Sequence, residues 1–249
     1  MVLRDLHTHT TFCDGKNTPE EMVQAAIARG MTTLGFSGHG YAPYDGDACI
    51  KESEMQLYYD TITQLKAKYA GEIEILCGIE KDYFSPDYSQ LFDYVIGSVH
   101  YVMVNGEYVS IDSSADNFKA GCEKYFGGDY YAFAEKYFDT VSDVVNKTKC
   151  DIIGHFDLFC KFNEKHSFFS EEDERYVSAW TRAADRLLET GAVFEINTGA
   201  IGRGYKTVPY PSKTMREYIK ARGGRFILSS DSHRAETLLL KFDELENEI

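Results

Sequence analysis

Proline is scarce, five residues in a chain of 249, and there is a single tryptophan. A Pro-rich extended chain is excluded, and a content of 43% hydrophobic and 27% charged residues reads as an ordered globular protein. No window approaches ~18 consecutive apolar residues, which argues against a membrane span. The start, Met1-Val2-Leu3-Arg4-Asp5, lacks the basic-then-apolar layout of a signal peptide. Basic charge is short: 26 Lys and Arg against 40 Asp and Glu leave a net charge of −14. That argues against nucleic-acid or anionic-membrane partners, which need basic surface. An anionic small substrate is still allowed, but something other than bulk charge must attract it. The six cysteines, at 13, 49, 77, 122, 150 and 160, form no CxxC and no regular spacing. In a chain without an export signal they read as reduced thiols, with the cytoplasm as the expected location. No repeat, low-complexity run or linker divides the chain, so residues 1–249 are expected to form one domain.

What is present is an alternation of short apolar runs and amphipathic stretches. Val2–Leu6 leads into His7. Thr18-Pro19-Glu20-Glu21 has a Thr N-cap, Pro at the first helical position and Glu three residues after the cap, a capping box. Thr33–Ser37 reads as a strand ending at His39, and apolar residues at 55, 58, 62, 65 and 69 have helical spacing. Further strands are expected at Ile73–Ile79 (ending at Glu80), Tyr94–Val99 (His100), Cys150–Gly154 (His155), Ala192–Ile196 (Asn197) and Arg225–Ser230 (Asp231). Helices are expected around Tyr130–Val145, after the cap Ser170–Asp173, and over Ser212–Arg222. Seven β-α units result. The strands lack period-2 alternation, as expected of parallel strands covered on both faces. Polar residues sit at the C-terminal end of nearly every strand, where β/α barrels carry their sites. The expected fold is therefore α/β, a distorted (β/α)7 barrel with its site at the strand C-termini.

Six of the seven histidines fall at those strand ends: His7, His9, His39, His100, His155 and His233. Asp14, Glu80 and Asp231 share the location. In extended backbone, residues i and i+2 point to one side, so His7 and His9 can reach one metal ion, and Asp231-Ser232-His233 repeats the spacing on the last strand. Imidazole and carboxylate together suit Zn²⁺, Mn²⁺, Fe²⁺ or Co²⁺. A lone HxH is more often structural than metal-binding, but burying nine unpaired polar groups at one mouth would cost roughly 1–3 kcal/mol each. A polynuclear metal site explains them together. Nine ligands exceed the needs of one ion, and three ions at about four ligands each, with a bridging carboxylate, fit best. Six neutral imidazoles and three carboxylates with three divalent ions would leave a net charge of about +3. That supplies the anion attraction the surface lacks, and favours a phosphate dianion with a hydroxide nucleophile.

Arg203 and Lys206, in a loop after a strand end, suit a phosphate clamp, with Lys161 a further candidate; solvated loop cations are the alternative. His166, in the polar stretch Asn163–Ser167, reads as solvated, and Cys13 as a small packing residue.

Asp5–Gly15, Gly35–His39, Gly78-Ile-Glu80, Ile96–His100, His155–Leu158, Glu195–Thr198 and Ser230–His233, in that order, resemble the polymerase-and-histidinol-phosphatase (PHP) family of metallophosphoesterases. Within it, Phe12-Cys13, Ile96–His100 and Pro209–Ser212 are most similar to the stand-alone histidinol-phosphate phosphatases. The resemblance implies a trinuclear centre. One metal would take His7, His9, Glu80 and Asp231. A second would share Glu80 and take His100 and His155. A third would take Asp14, His39 and His233. It also implies hydrolysis of L-histidinol phosphate in histidine synthesis, with Arg203 as the phosphate-binding arginine; Lys206 or Lys161 would join Arg203 on the phosphate, and a metal-bound water, Asp231 or His233 would protonate the leaving alkoxide. Rival activities are a PHP-type phosphoesterase acting on nucleotides or phosphotyrosine, a metal-dependent amidohydrolase, and a non-enzymatic metal-binding domain. The third group of ligands argues against the amidohydrolase, and the complete ligand set against the non-enzymatic domain.

Overall fold

The computed structural model describes residues 3–88 and 90–249, so Val2, at the expected start of the first strand, lies outside the described residues. The strands are β1 (Arg4–Asp5), β2 (Thr33–Phe36), β3 (Glu74–Asp82), β4 (Tyr94–Ser98), β5 (Tyr101–Val104), β6 (Glu107–Ser110), β7 (Ile152–Ile153), β8 (Val193–Asn197) and β9 (Phe226–Ser229). Seven of them form one parallel sheet in the order β1-β2-β3-β4-β7-β8-β9. The two edges meet beyond their strands. A parallel bridge joins Thr8 to Ser232, with His9 N donating to Ser232 O at 2.8 Å and Ser232 N to His7 O at 3.1 Å. The sheet thereby nearly closes into a barrel.

The barrel interior is narrow and filled. Leu6, Tyr94, Ile96 and Ile152 pack there as one buried cluster. Tyr94 crosses it and donates to Leu6 O at 2.5 Å and Phe36 O at 3.1 Å. Glycine is required where the ring passes: a Cβ at Gly78 would stand 2.3 Å from the Tyr94 ring, and one at Gly35 would stand 2.4 Å from its hydroxyl.

Helices cover the outside. The expected capping box opens α1 (Pro19–Ala28), with Thr18 and Glu21 bonded reciprocally. In α2 (Met55–Lys68) the predicted apolar stripe is buried at Met55, Tyr58, Ile62 and Leu65. Between β3 and β4 no helix occurs among the described residues. Between β4 and β7 the chain inserts more than was expected. β5 and β6 form an antiparallel hairpin, turning at Asn105-Gly106 with both residues at positive φ. Next comes α3 (Ala115–Phe126), capped by Ser114. The single helix expected over Tyr130–Val145 is two, α4 (Tyr130–Val141) and α5 (Val144–Thr148). They part at Ser142, whose hydroxyl donates to Asp139 O and competes with the helical ladder. Then follow α6 (Asn163–His166), α7 (Glu174–Leu188) capped by Asp173, α8 (Gly199–Gly202) and α9 (Lys213–Ala221). Among the described residues no helix is long and apolar enough to cross a membrane, and all six cysteines are unpaired.

Candidate metal centre

Each proposed ligand sits where a parallel strand runs out at the same end of the barrel. His7 and His9 flank Thr8, and Asp231 and His233 flank Ser232, the two residues that form the closing bridge. In-out alternation therefore sends all four toward one point. His39 follows β2, and a second bridge pairs it with Glu80. β3 runs two residues past its expected end, because Gly78–Asp82 pair with Tyr94–Ser98. This sets Glu80 on the barrel floor. His100 and His155 follow β4 and β7, and Asp14 lies in the loop after His9.

All nine side chains converge. The Glu80 carboxylate stands at the centre, and its two oxygens face different partners. Oε2 lies 3.3 Å from His7 Nε2, 3.7 Å from His9 Nε2 and 2.8 Å from His39 Nδ1. Oε1 lies 2.9 Å from His155 Nε2 and 3.5 Å from His100 Nε2. Asp231 Oδ1 is 3.2 Å from His9 Nε2 and 3.8 Å from His7 Nε2. Asp14 Oδ1 is 3.1 Å from His233 Nε2 and 3.7 Å from His39 Nε2. His9 stands between the groups around Glu80 and Asp14, stacked on His233 with ring centroids 4.0 Å apart.

The arrangement suits bound cations. His7 Nε2, His9 Nε2, Asp14 Oδ1 and Glu80 Oε2 are buried and lack a hydrogen-bond partner among the described residues. Each such orphan costs roughly 1–3 kcal/mol. Ligand atoms gather within 4.8 Å in three groups: His9, Asp14, His39 and His233; His7, His9 and Glu80; and His39, Glu80 and His100. The donor set of imidazole and carboxylate fits divalent transition ions.

The electrostatics agree. Burial works to lower the imidazole pKa of His7, yet Glu195, Glu80 and Asp231 hold it well above the usual value. Burial likewise opposes charge on His100, which Glu80 and Asp82 nevertheless raise to about 9. His9 is held well below the usual value by burial and by His233 and His39 beside it. Burial would raise Glu80, but His39, His7 and His100 keep it well below the carboxylate range. Asp231 is held low against burial by Arg203 and His7. The cluster is a knot of mutually compensating charges.

A surrounding layer of polar side chains touches the ligands. Glu195 Oε1 is 2.7 Å from His7 Nδ1. Ser98 Oγ donates to Glu80 Oε1 at 2.6 Å. Asp82 accepts the His100 backbone N–H at 2.8 Å. Cys13 Sγ lies 3.5 Å from His9 Nδ1, so this thiol touches a ligand as well as packing. Asp5 accepts from the backbone N–H groups of His7 and Ser230, and burial pushes its pKa up to about 6.

Above the cluster opens a cavity of about 390 Å³. Arg203 lines it, donating from Nη2 to Asp231 Oδ2 at 2.9 Å with Nη1 3.3 Å from His233 Nε2. Lys161 lines it too, its Nζ held by Asp112 at 3.0 Å. Lys206 does not reach it. Its Nζ is buried and donates to Cys160 Sγ at 3.1 Å. Lys16, Arg234, Asp45 and Asp112 line the cavity and were not anticipated. His166 is exposed and stacked on Phe168, away from the cluster.

Known proteins resemble this chain. The family model described as "PHP domain" matches residues 5–199. A Schizosaccharomyces pombe protein, provisionally named a histidinol-phosphatase, is 28% identical over 257 residues, 91% of this chain and 79% of that one. A Listeria monocytogenes structure, provisionally assigned as a histidinol phosphatase, superposes with a TM-score of 0.84 at 21% identity, over 97% of this chain and 99% of that one. A histidinol phosphate phosphatase from Lactococcus lactis, solved with zinc, L-histidinol and phosphate, gives 0.73 at 21% identity, over 98% and 93%.

Proposed function

The chain belongs to the PHP domain family, and from that membership we propose that it is a metal-dependent phosphomonoesterase converting L-histidinol phosphate to L-histidinol and phosphate. The observation that carries this reading is the convergence of seven ligand side chains in three tight groups, with His155 and Asp231 against them, beneath a cavity lined by Arg203 and Lys161. The names of the relatives, and the histidinol and phosphate bound by the Lactococcus lactis protein, point to the substrate. The activity belongs to histidine synthesis, for which the cytoplasm is the fitting location. The matched segment stops at residue 199, and the reading of residues 1–249 as one domain is supported by β9, which belongs to the same seven-stranded sheet.

The ligand set would hold three divalent ions (Zn, Mn, Fe or Co). His7, His9, Glu80 and Asp231 serve one, Glu80, His100 and His155 the second, and Asp14, His39 and His233 the third. Bound there, such ions supply positive charge for the phosphate oxygens and acidify a water to serve as nucleophile. The chain does the rest. Arg203 presents a fork of N–H donors that matches a phosphate bidentately. Lys161, fixed by Asp112, adds a point charge at the other side of the cavity. Asp231 and His233 line the same cavity, and one of them, or a water held at the site, would supply the proton that the leaving alkoxide oxygen needs. Glu80, buried on the barrel floor, keeps both halves of the ligand set at one spacing.

Phosphate release should be measured with Mn²⁺ or Zn²⁺ present on L-histidinol phosphate, nucleotides and phosphotyrosine peptides. A kcat/KM for histidinol phosphate well above the others is expected. Preference for a nucleotide or a phosphopeptide would redirect the substrate, and no phosphate release from any of them would end the phosphatase reading.

A further inference from the structure

The Glu195 carboxylate is fully buried on β8 and is not a member of the ligand set. Its two oxygens nonetheless touch two different ligand residues. Oε1 lies 2.7 Å from His7 Nδ1. Oε2 accepts the backbone N–H of His155 at 3.1 Å and an amide N–H of Asn197 at 3.1 Å. Asn197 is anchored in turn, its Oδ1 accepting the N–H of Gly199 at 2.8 Å. His7 and His155 stand on opposite sides of Glu80, the first against its Oε2 and the second against its Oε1.

We propose that Glu195 is a positioning residue that fixes the His7 tautomer for metal ligation and ties His7 to His155, holding the two groups around Glu80 at one spacing. A carboxylate only accepts hydrogen bonds. At 2.7 Å the Nδ1 proton of His7 is held by Glu195, so the neutral ring that ligates an ion does so through the Nε2 lone pair. That Nε2 is buried, lacks a hydrogen-bond partner among the described residues, and points between Glu80 and Asp231. The inference rests on the metal-centre reading above and is independent of the phosphate ester.

Glutamine at this position cannot reproduce the arrangement. Its single carbonyl oxygen can serve His7 or the His155 N–H, but not both. If the amide N–H₂ faces His7, Nδ1 must accept, the proton moves to Nε2, and the lone pair that binds the ion is lost. If the oxygen faces His7, the N–H₂ opposes the donors of His155 and Asn197.

The test uses Zn²⁺ alone, titrated into metal-depleted full-length chain against a chromophoric chelator. Glu195→Gln is expected to weaken Zn²⁺ binding by roughly 10- to 100-fold, with loading restored by excess Zn²⁺. A lower melting temperature with unchanged Zn²⁺ affinity would make Glu195 a packing residue and overturn the proposal. The tautomer is read separately in Zn²⁺-loaded wild-type protein carrying ¹⁵N-histidine. The His7 signal, identified by its loss in His7→Gln, should show a protonated Nδ1 and a metal-bound Nε2. Should Glu195→Gln fail to fold, this second measurement still decides: protonation at Nε2 would refute the assignment. Neither readout uses substrate. A protein that binds Zn²⁺ as described but leaves histidinol phosphate intact would sink the proposed activity and leave this inference standing.

Discussion

Arg203→Ala is the perturbation that best separates phosphate binding from metal binding. In the structure Arg203 is partly exposed to the cavity at 29%, while Nη2 bonds Asp231 Oδ2 at 2.9 Å. Nη1 lies 3.3 Å from His233 Nε2, and the guanidinium lines the cavity that an anion would enter above the cluster. A hydrogen bond to a charged group contributes about 1.5–3 kcal/mol. Losing the clamp should therefore lower kcat/KM by roughly 10- to 150-fold. A competing effect acts on the metals. Arg203 is the leading cause that holds Asp231 low, so its removal leaves that carboxylate more basic and no poorer as a ligand. Metal content is expected to stay unchanged. Arg203→Lys should recover only part of the loss, because a point charge cannot reproduce a planar fork. The assay is steady-state phosphate release on metal-saturated enzyme, with elemental analysis of the same samples. An Arg203→Ala enzyme with full kcat/KM would show that phosphate is held elsewhere, and Lys161 would then lead.

Elemental analysis of fully loaded protein should give more than two transition-metal equivalents per chain; saturation at one would rule out three ion positions. Glu80→Gln should abolish phosphate release and reduce metal content together, since both carboxylate oxygens face ligand imidazoles; wild-type values of both would remove Glu80 from the site. Despite burial, Lys161 and His100 hold the Asp112 carboxyl down at about 2, against 3.8 when unperturbed. A depressed carboxylate stabilises the fold above its unfolded pKa and loses that contribution as pH falls, here between about pH 4 and pH 2. Denaturant unfolding of wild type and Asp112→Asn should therefore differ most near pH 5 and converge toward pH 2; a constant difference would refute the assignment. His166→Ala should leave kcat/KM and metal content within error of wild type.

Much of the site is legible in the sequence because parallel strands put their C-terminal ends in one place. Once His7-Thr8-His9 and Asp231-Ser232-His233 are assigned to strand ends, the i, i+2 rule aims both pairs inward without further information. The orienting layer is different. Glu195 becomes meaningful only through the registers that bring β8 beside β7 and β9, and with them beneath His155 and His7. One local sign was available, since Glu195 lies two residues before the strand-end Asn197 and so shares its face. Lys206 shows the converse, that nearness in sequence does not fix where a side chain goes. It is three residues from Arg203, but the α8 turn leads the chain back over Ala200, which accepts from the N–H groups of Tyr205 and Lys206. That sends Lys206 toward Cys160 rather than into the cavity. The β5–β6 hairpin had a direct signal in Asn105-Gly106, flanked by β-prone residues on both sides.

The last question is how a chain of net charge −14 attracts an anion. Surface patches do not answer it, and neither do the cavity cations taken alone. Lys16, Lys161, Arg203 and Arg234 line the cavity, but so do Asp14, Asp45, Asp112 and Asp231. These charges balance, and Glu80 beneath them adds a negative one. Lys161 is further committed to Asp112, and Arg203 to Asp231. The raised imidazoles of His7 and His100 do little more than offset that charge, so the side chains by themselves offer a phosphate dianion little net attraction, and divalent ions on the nine ligands would supply it. Substrate affinity is then a property of the loaded centre rather than of the fold. Inorganic phosphate should bind metal-saturated protein, and chelator-treated protein should lose that binding while staying folded by circular dichroism. Equal phosphate affinity with and without metal would place the anion on the loop cations and refute this account.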